Sequence, residues 1–535
     1  MGGMSHLALG LAALSGAAAA APIVETPAGT LQGVATNGQH VFKGIPYAQP
    51  PVGPRRWQAP ADLPRWRGVR DASEFGAACQ QPPAPSGSIY AETYPKMSED
   101  CLSLNVWAPA NARKLPVFVW IHGGNLVRGA SSQALFGGDR LAAQGIIVVS
   151  INYRLGIFGY FAHPELSAES PEGISGNYGL QDQVAALRWV KRNIAAFGGD
   201  PSRVTIAGES AGGLAILHML AAPQARGLFS RAIVQSASLM SLPELKVSAH
   251  GMPSAEAIGT HVAGGQSIAQ LRALDGPAMI AQAQKGGFAS TAIVDGKYLS
   301  RQLLDTFERG EQAHVPLMTG FTAGEIRTMK SILPGLPEPS TITPASYEAA
   351  IRKNYGERAD DFLKLYPASD IRENILAAAR DGFFAWTSQR LVREQARAGQ
   401  PTWLYLFDHG YPAADDGGMH AFHASEVPYM FGTIDRMTPL WPKIPDTAAE
   451  RALSDAMVGY WASFTKSQPI WPEHNKGNAF MTFAATPQVS ADLKPGEYRL
   501  HDEIVCRRRA AGNLPWNWNV GLMSPPLPPA AKGCA

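Results

Sequence analysis

Ser210 lies in a five-residue segment whose composition suits a nucleophilic serine. The segment, Gly208-Glu209-Ser210-Ala211-Gly212, follows the apolar run Val204–Ala207 and opens a helical pattern. A serine on a sharp strand-to-helix turn presents its hydroxyl to a substrate, and the tight turn requires small residues two positions away on each side. The segment therefore predicts acyl-transfer chemistry at Ser210. The alternative is an inert serine in a plain strand–helix turn.

A second glycine-containing segment could supply hydrogen-bond donors for that chemistry. After an apolar strand pattern the chain continues His122-Gly123-Gly124-Asn125. A glycine pair in this context is typical of a loop whose backbone N–H groups bind a developing oxyanion, and each such donor contributes about 3 kcal/mol in the transition state. We therefore expect an oxyanion hole formed by the backbone N–H groups of Gly124, Asn125 and Ala211. By itself, the glycine pair would be better explained as a turn that closes a strand.

Alternating strand and helix patterns surround both segments. The short apolar runs that predict buried strands are Val117–Ile121, Ile146–Ile151, Val204–Ala207, Ala232–Gln235, Pro316–Gly320 and Trp403–Phe407. The helical patterns are Leu180–Ala196, Ser210–Ala221 and Asp455–Thr465. This alternation indicates an α/β fold with a large central, mostly parallel sheet and helices on both faces. Segments 243–312 and 337–399 are expected as helical insertions over the active site, residues 22–535 as a single domain, and the Pro-rich tail 515–535 as surface.

The chain resembles the type-B carboxylesterases, an α/β-hydrolase family that also contains cholinesterases and the non-catalytic neuroligins. The likeness extends over nearly the whole chain after its first residues. Besides the segment around Ser210, the matching segments are Phe42-Lys43-Gly44-Ile45-Pro46-Tyr47-Ala48, Ser98-Glu99-Asp100-Cys101-Leu102 with Leu104-Asn105, Asn152-Tyr153-Arg154, Gly176-Asn177-Tyr178-Gly179-Leu180-Gln181-Asp182-Gln183 and Phe197-Gly198-Gly199-Asp200-Pro201. The resemblance implies the α/β-hydrolase fold and carboxylic-ester hydrolysis.

The family's order of catalytic residues, serine then acid then histidine, implies the rest of a triad. Its acid lies in a Gly-x-x-x-x-Glu stretch after a strand, which here ends at Glu325. Its histidine precedes a Glu-hydrophobic-Pro-aromatic segment, which here points to His423. In an acyl-enzyme mechanism His423 would transfer protons and Glu325 would fix the imidazole tautomer. The resemblance also suggests Ser236 as a buried polar neighbour of the triad, and a core serine bonded to backbone is an equal alternative.

Three positions depart from the commonest pattern of the family. Asn125 replaces Gly or Ala in the oxyanion loop, and Ile326 and Ala424 replace the Gly that usually follows the acid and the histidine. None of these changes removes a reactive group, because a backbone N–H survives at Asn125. The asparagine side chain is expected to narrow the cleft.

Two arginines could select an anionic substrate. Arg128 follows the oxyanion loop, and Arg327 lies two residues after the predicted acid. A guanidinium binds a carboxylate in bidentate geometry, so Arg128 at the pocket would favour an acyl group with free carboxylates. Bacterial fumonisin esterases, which belong to the family that this chain resembles, remove tricarballylate groups of that kind. The alternative is two solvated surface side chains, because most arginines are exposed.

Other polar residues near these motifs fit structural roles. His420 and His423 are three residues apart, but no further ligand cluster is near them and we expect no metal. Glu209 could tune the site electrostatically, although a structural carboxylate with a nearby hydrogen bond is the better explanation. No cofactor is expected.

Four cysteines, Cys79, Cys101, Cys506 and Cys534, bear on disulfide formation. Cys79 and Cys101 are close in sequence and flank a polar, Pro-rich stretch, so we expect a disulfide between them. Cys506 and Cys534 could close a second loop, and four unpaired thiols are the alternative. The sequence contains no C-x-x-C pair, so it does not indicate a zinc ribbon.

The N-terminus predicts export. Leu7 to Ala21 is a run of apolar and small residues, typical of a signal peptide over residues 1–21 and of a periplasmic or secreted protein. No Lys or Arg precedes Lys43, so a disordered N-terminus or a misassigned start is the alternative. A net charge of +2 without basic blocks argues against nucleic acid as a partner. No later run is long enough for a membrane span, and the expected partner is a small-molecule ester.

Two other function classes compete with an exported esterase. A neuroligin-like binding module would lack the nucleophile, whereas Ser210, Glu325 and His423 are all present. A general short-chain carboxylesterase, a lipase or an amidase would use the same triad, so the sequence does not separate these activities. The sequence also leaves the oligomeric state open.

Overall fold

The computed structural model describes residues 21–329 and 341–534. The predicted signal peptide, apart from Ala21, lies outside this range. In chain order the strands are β1 (Ile23–Thr26), β2 (Gly29–Gln32), β3 (Val34–Thr36), β4 (Gln39–Pro46), β5 (Val69–Asp71), β6 (Ala78–Cys79), β7 (Met97–Ser98), β8 (Ser103–Pro109), β9 (Leu115–Ile121), β10 (Ile147–Ile151), β11 (Gly199–Glu209), β12 (Arg231–Gln235), β13 (Leu317–Thr322), β14 (Thr402–Phe407), β15 (Ala479–Phe483) and β16 (Gln488–Ala491).

Helices connect these strands and form the two predicted insertions. In chain order they are α1 (Asp139–Ala142), α2 (Gly156–Tyr160), α3 (Pro164–Glu169), α4 (Tyr178–Asn193), α5 (Ala211–Ala221), α6 (Ala255–Ala263), α7 (Ile268–Ala273), α8 (Gly276–Lys285), α9 (Leu303–Glu308), α10 (Pro344–Tyr355), α11 (Ala359–Leu365), α12 (Ile371–Arg380), α13 (Trp386–Arg397), α14 (Pro412–Asp416), α15 (Val427–Phe431), α16 (Ala448–Thr465) and α17 (Pro495–Ala511). A short π-helix, Asp381–Ala385, joins α12 to α13.

An 11-stranded sheet forms the centre of the fold. Its strand order is β16-β15-β14-β13-β12-β11-β9-β10-β8-β4-β3. All neighbouring pairs from β15 through β10 are parallel, and the outer strands at both edges pair antiparallel. The six strands predicted from apolar runs correspond to β9 through β14. The predicted α/β class with a mostly parallel sheet is therefore confirmed.

The register of the parallel strands brings their carboxyl ends to one edge. Gly208 on β11 aligns with Ile121 on β9. On the other side of β11, Glu209 aligns with Gln235 on β12, which in turn aligns with Gly320 on β13. The residues that follow these positions must therefore emerge together, at the edge where α/β sheets bind their ligands.

Alternation along β9 explains why the sheet is buried on both faces. Val117, Val119 and Ile121 join the apolar cluster that contains α4 and α5. Phe118 and Trp120 point to the opposite face and join the cluster that contains α16. A strand covered on both sides needs apolar side chains at every position, which is why its sequence is a continuous apolar run.

Two disulfides form among the described residues, and no free cysteine is found there. The Cys79–Cys101 disulfide was expected from the sequence and is confirmed. Cys506 and Cys534, whose pairing the sequence left open, also form a disulfide. The second bridge ties α17 to the C-terminal tail.

The first part of the C-terminal tail is packed into the fold, so the expectation of a surface tail is wrong for residues 516–524, whereas residues 525–533 are half-buried or exposed. Trp516 and Val520 are each only 1% exposed. Ser241 Oγ accepts a hydrogen bond from Trp516 N at 2.9 Å, and the indole packs against Trp386. Apolar residues between the prolines account for this burial.

None of the helices in the two described ranges is both long and apolar enough to cross a lipid bilayer.

Candidate active site

Ser210 lies at the turn between β11 and α5. Its backbone angles, φ 56° and ψ −123°, are in a strained region that non-glycine residues rarely adopt. Its backbone N–H donates to the carbonyl of Gln235 at 3.0 Å, which anchors the turn to β12. The strain raises the side chain above the sheet edge, where it is half-buried. The serine thus lies on the sharp strand-to-helix turn that the sequence predicted.

The glycines around Ser210 are required by close backbone approaches. A Cβ atom at Gly212 would lie 2.0 Å from the carbonyl oxygen of Ile121, and one at Gly208 would lie 2.5 Å from the backbone of Gly212. A Cβ atom at Gly123 would lie 2.9 Å from the carbonyl oxygen of Glu209. The turn after β11 and the loop after β9 can therefore touch only because these residues lack side chains.

The loop after β9 presents free backbone donors beside that turn. Gly124 and Asn125 both have positive φ, at 106° and 57°. The carbonyl of Gly124 accepts from the N–H groups of Val127 and Arg128 at 3.1 and 2.9 Å, which closes a tight turn. Within residues 21–329 and 341–534, the N–H groups of Gly124, Asn125 and Ala211 donate to no protein acceptor. They are therefore available to an oxyanion.

Glu325 follows β13 and opens the 3-10 helix Glu325–Thr328. Its side chain is fully buried, with 0% exposure. Its Oε1 accepts the backbone N–H of Thr322 at 2.9 Å, and its Oε2 is hydrogen-bonded to Nδ1 of His423. A carboxylate held in this way fixes which imidazole nitrogen faces it.

His423 lies in the loop between α14 and α15. Positive φ angles at His420 and Ala424, 51° and 68°, give the loop its sharp bends. The Phe384 ring from the π-helix packs 5.7 Å from the imidazole centroid. The imidazole is thus held by packing on one side and by Glu325 on another, which leaves Nε2 for other contacts.

Glu209 approaches His423 more closely than the sequence indicated. Its Oε1 lies 3.1 Å from Nε2 of His423. Neither atom has a hydrogen bond of good geometry to any described residue. The contact is therefore electrostatic, and the nearby hydrogen bond expected for a structural carboxylate is not found at Oε1 of Glu209 among the described residues.

Three buried carboxyl groups surround one imidazole. Burial lowers the pKa of His423, but the carboxylates of Glu209 and Glu325 outweigh burial and raise that pKa to about 9. Desolvation raises the pKa of Glu209 and of Glu426 above the usual carboxyl range, and the charge of Glu325 adds to both shifts. Because charged groups interact strongly in a buried site, the ionisation of these carboxyl groups is coupled to that of His423.

The predicted specificity residues have different surroundings. Arg128 is half-buried, and among the residues that the structure describes it donates from Nε alone, to the carbonyl of Pro83 at 3.2 Å. Arg327 instead forms an ion pair with Glu373 and donates to the carbonyl of Gly418 at 3.1 Å. The other guanidinium donors of Arg128 therefore have no partner within residues 21–329 and 341–534, whereas Arg327 is paired with protein groups.

His420 and Ser236 also occupy defined positions. The ring nitrogens of His420 lie 2.9 Å from carboxylate oxygens of Asp408 and Asp415, so the side chain supports the loop that carries His423. No cluster of three or more potential metal ligands occurs in the described parts of the chain. Ser236 is buried at the end of β12, and its hydroxyl contacts no described hydrogen-bond partner.

Two residues near His423 escaped sequence reasoning. Glu426 is buried and accepts a hydrogen bond from Gln235 at 3.1 Å. It is the glutamate of the Glu-hydrophobic-Pro-aromatic segment that follows His423, so its spacing was a usable signal. Tyr90 donates from its hydroxyl to the backbone carbonyl of His423 at 2.8 Å. Nothing in the sequence around Tyr90 signals that contact.

Comparison with known proteins decides the family. The sequence profile of the carboxylesterase family matches residues 20–498. The chain belongs to the carboxylesterase family. It is 35% identical over 487 residues to the fumonisin B1 esterase of Sphingopyxis macrogoltabida, with 86% of each protein covered. It is 36% identical over 456 residues to the para-nitrobenzyl esterase of Bacillus subtilis, with 83% of this chain and 90% of that protein covered.

Solved structures agree with this carboxylesterase assignment. A PNB esterase superposes with a TM-score of 0.75 at 31% identity, covering 89% of this chain and 99% of its own. A carboxylesterase of Geobacillus stearothermophilus superposes with a TM-score of 0.74 at 30% identity and the same coverage. The fold is therefore that of the α/β-hydrolases, and the protein is a carboxylic-ester hydrolase. The alternative of a neuroligin-like, non-catalytic binding module is therefore wrong.

Proposed function

We propose that Ser210, His423 and Glu325 form the catalytic triad of this carboxylesterase. The observation that supports it most strongly is the meeting of three distant segments at one sheet edge. The histidine that is hydrogen-bonded to Glu325 reaches the serine turn, because its Nε2 lies 3.1 Å from Oε1 of Glu209, the residue before Ser210. On the other side, a Cβ atom at Gly123 in the oxyanion loop would lie 3.1 Å from the Ser210 side chain. Nε2 of His423 has no hydrogen bond to a described residue, so it is available to take the proton of a serine hydroxyl.

In acylation, Ser210 Oγ attacks the ester carbonyl carbon while Nε2 of His423 accepts the hydroxyl proton. The carbonyl oxygen becomes an oxyanion and accepts hydrogen bonds from the N–H groups of Gly124, Asn125 and Ala211. The imidazolium then donates its proton to the leaving alkoxide as the carbon–oxygen bond breaks. An acyl-enzyme and a free alcohol result.

In deacylation, water takes the place of the alcohol. His423 removes a proton from the water, whose oxygen attacks the acyl carbon, and the same donors bind the second oxyanion. The proton returns to Ser210 Oγ as the carboxylic acid leaves. Through both steps Glu325 keeps Nδ1 protonated and stabilises the imidazolium without taking its proton.

Ser210→Ala tests this assignment, and Ser236→Ala is its matched control. Both serines end neighbouring parallel strands and both have positive φ, 56° and 47°. We expect Ser210→Ala to lower kcat on a p-nitrophenyl ester by at least about a thousandfold and Ser236→Ala by less than about tenfold. Melting temperatures would show that both variants fold. The proposal fails if Ser210→Ala retains activity, and Ser236 becomes the nucleophile if the two results are exchanged.

We further propose that the ester carries free carboxylates on its acyl group. Arg128 supports this proposal because it follows the oxyanion loop directly, is half-buried and lacks an acidic partner among the described residues. A partly desolvated guanidinium with unused donors suits a bidentate carboxylate. The identity to a protein named fumonisin B1 esterase points to the same class, a bulky polyanionic ester of the tricarballylate type.

A substrate panel on paired arginine variants tests this specificity. We expect Arg128→Ala to lower kcat/KM on a tricarballylate ester by about 10- to 100-fold, since hydrogen bonds to charged groups contribute about 1.5–3 kcal/mol. Its kcat/KM on a neutral acetate ester should change little. Arg327→Ala is the control, because Arg327 is already paired with Glu373. Equal rates on neutral and polyanionic esters in wild type and Arg128→Ala would instead favour a general short-chain esterase.

We also propose that the protein is exported to the periplasm or the medium. The Cys79–Cys101 and Cys506–Cys534 disulfides support this, because such bonds persist in oxidising compartments. N-terminal sequencing of the protein recovered from outside the cytoplasm should begin close to Pro22. Recovery of a chain that still carries its first residues would contradict export through a cleaved signal.

A further inference from the structure

The loop closed by the Cys79–Cys101 disulfide contacts the proposed active site. Its residue Tyr90 donates a hydrogen bond to the backbone carbonyl of His423 at 2.8 Å. The same hydroxyl lies 2.7 Å from Oγ1 of Thr328, in the short helix that begins with Glu325. A phenol has one donor, so Thr328 must donate while the tyrosine proton goes to His423. One hydroxyl thus joins the segments that carry the acid and the base.

The Tyr90 ring is held so that its hydroxyl points at these partners. It packs edge-on against Trp441 at 5.8 Å. Trp441 is buried and packs at 5.0 Å against Phe422, the residue before His423. The carbonyl of Ile89, beside Tyr90, accepts a hydrogen bond from Thr438. The ring therefore has little freedom to turn away from the His423 loop.

The same disulfide-closed loop is fixed to the segment that directly follows the oxyanion loop. Gln81 is buried, and its amide group exchanges two hydrogen bonds with the backbone of Gly129, both at 2.9 Å. The Pro83 carbonyl accepts from Arg128. The loop thus spans both sides of Ser210, with Gln81 on the donor side and Tyr90 on the histidine side.

We propose that Tyr90 is a positioning residue for ester hydrolysis, which holds the His423 main chain so that Nδ1 stays on Glu325 and Nε2 faces the nucleophile. The inference rests on the proposed role of His423 as the base. Tyr90 acts only through the His423 backbone, so it takes no proton from the substrate. A rotation of the imidazole by even a small angle would misalign proton transfer, and such errors are costly in rate.

Tyr90→Phe removes the hydroxyl and keeps the ring. Its matched control is Tyr94→Phe, the same change in the same loop at a residue whose hydroxyl makes no hydrogen bond to the described residues. We expect Tyr90→Phe to lower kcat for a neutral p-nitrophenyl ester by about tenfold, the equivalent of one lost hydrogen bond. KM should stay within about twofold, because uniform binding of substrate is untouched. Tyr94→Phe should retain wild-type kcat and KM.

The pH profile separates positioning from a general structural effect. Glu209, Glu325 and Glu426 face His423 and raise its pKa. A loosened His423 loses part of its contact with Glu325, so its pKa falls and the acid limb of kcat/KM moves to lower pH. A merely structural role would lower the melting temperature without moving that limb.

A double-mutant cycle keeps the test decisive if one variant folds poorly. Thr328→Val removes the second partner of the Tyr90 hydroxyl. Positioning through a shared hydroxyl predicts that Thr328→Val lowers kcat less in a Tyr90→Phe background than in wild type. Additive effects, or a Tyr90→Phe profile that equals that of Tyr94→Phe, overturn the inference. His423→Ala distinguishes the two proposals: if it remains active the triad is wrong, and if it is inactive while Tyr90→Phe is normal only the role of Tyr90 is wrong.

Discussion

Glu209→Gln should extend the activity of this carboxylesterase to lower pH. Activity requires a neutral imidazole at His423, so kcat/KM falls as the pH drops through the pKa of that imidazole. The Glu209 carboxylate favours the imidazolium, which raises that pKa and moves the loss of activity to higher pH. Replacing the carboxylate by a neutral amide of the same shape removes this attraction. The acid limb, which is the fall of kcat/KM at low pH, must therefore move to lower pH.

The magnitude follows from the distance between the charges. Oε1 of Glu209 and Nε2 of His423 are 3.1 Å apart, and their side chains are only 7% and 8% exposed. At that distance two unit charges attract by about 1.3 kcal/mol at the dielectric constant of water and by about 5 kcal/mol at an effective value near 20. Since about 1.4 kcal/mol corresponds to one pKa unit, the limb should move by at least about one pH unit.

The assay is kcat/KM for a neutral p-nitrophenyl ester from about pH 5 to about pH 10. A neutral substrate ensures that the profile reports ionisation of the free enzyme. Glu426→Gln should move the limb less than Glu209→Gln does, because the Glu426 charge contributes less to the His423 pKa. Glu25→Gln is the control, since Glu25 is 74% exposed and pairs with Arg65.

Two results would refute this reasoning. If Glu209→Gln has the acid limb of wild type, its carboxylate does not interact with the titrating imidazole. If the limb moves to higher pH, the sign of the interaction is wrong and another group titrates. A fall in kcat at all pH values with an unmoved limb would assign Glu209 a role in geometry alone.

Two further predictions concern the scaffold and are checked by urea denaturation. Gly212→Ala should destabilise the fold by about 3 kcal/mol or more, because its Cβ would meet the Ile121 carbonyl at 2.0 Å, whereas Gly459→Ala, in open space on α16, should stabilise it by about 0.5–1 kcal/mol. Asp182→Asn should cost about 3–5 kcal/mol, because it leaves the buried Arg154 guanidinium without its charged partner. Wild-type stability in either Gly212→Ala or Asp182→Asn would contradict the corresponding prediction.

The parts of this fold that could be predicted from the sequence are those with local signals. A parallel strand covered on both faces must be apolar throughout, so β9 through β14 were found from short runs of residues. The turn at Ser210 needs a glycine two residues before and two residues after the serine, and this requirement is visible in the sequence as a five-residue pattern. Glu325 and His423 were assigned through the resemblance to the family, since neither carries a pattern that spacing alone could identify.

The contacts that escaped prediction join residues distant in the chain. Tyr90 is 333 residues from His423 and 238 from Thr328, and its loop has no periodic pattern that would orient its hydroxyl. Arg327 and Arg128 look alike in the sequence, yet Glu373 from α12 reaches only Arg327. Helix packing decides which of the two arginines forms an ion pair. The sequence next to either arginine does not indicate that packing.

The groups around Ser210 carry positive partial charge on one side and negative charge on the other. Toward the oxyanion loop, the N–H groups of Gly124 and Asn125 and the start of α5 present positive ends of dipoles. Toward His423, buried carboxyl groups present negative charge. A developing oxyanion is attracted to the first side and repelled by the second, while an imidazolium is stabilised only by the second. We infer that these opposite charges keep the oxyanion and the imidazolium of His423 apart during acylation. Glu209 lies between the two sides, and its carboxylate limits how far the pKa of His423 can fall.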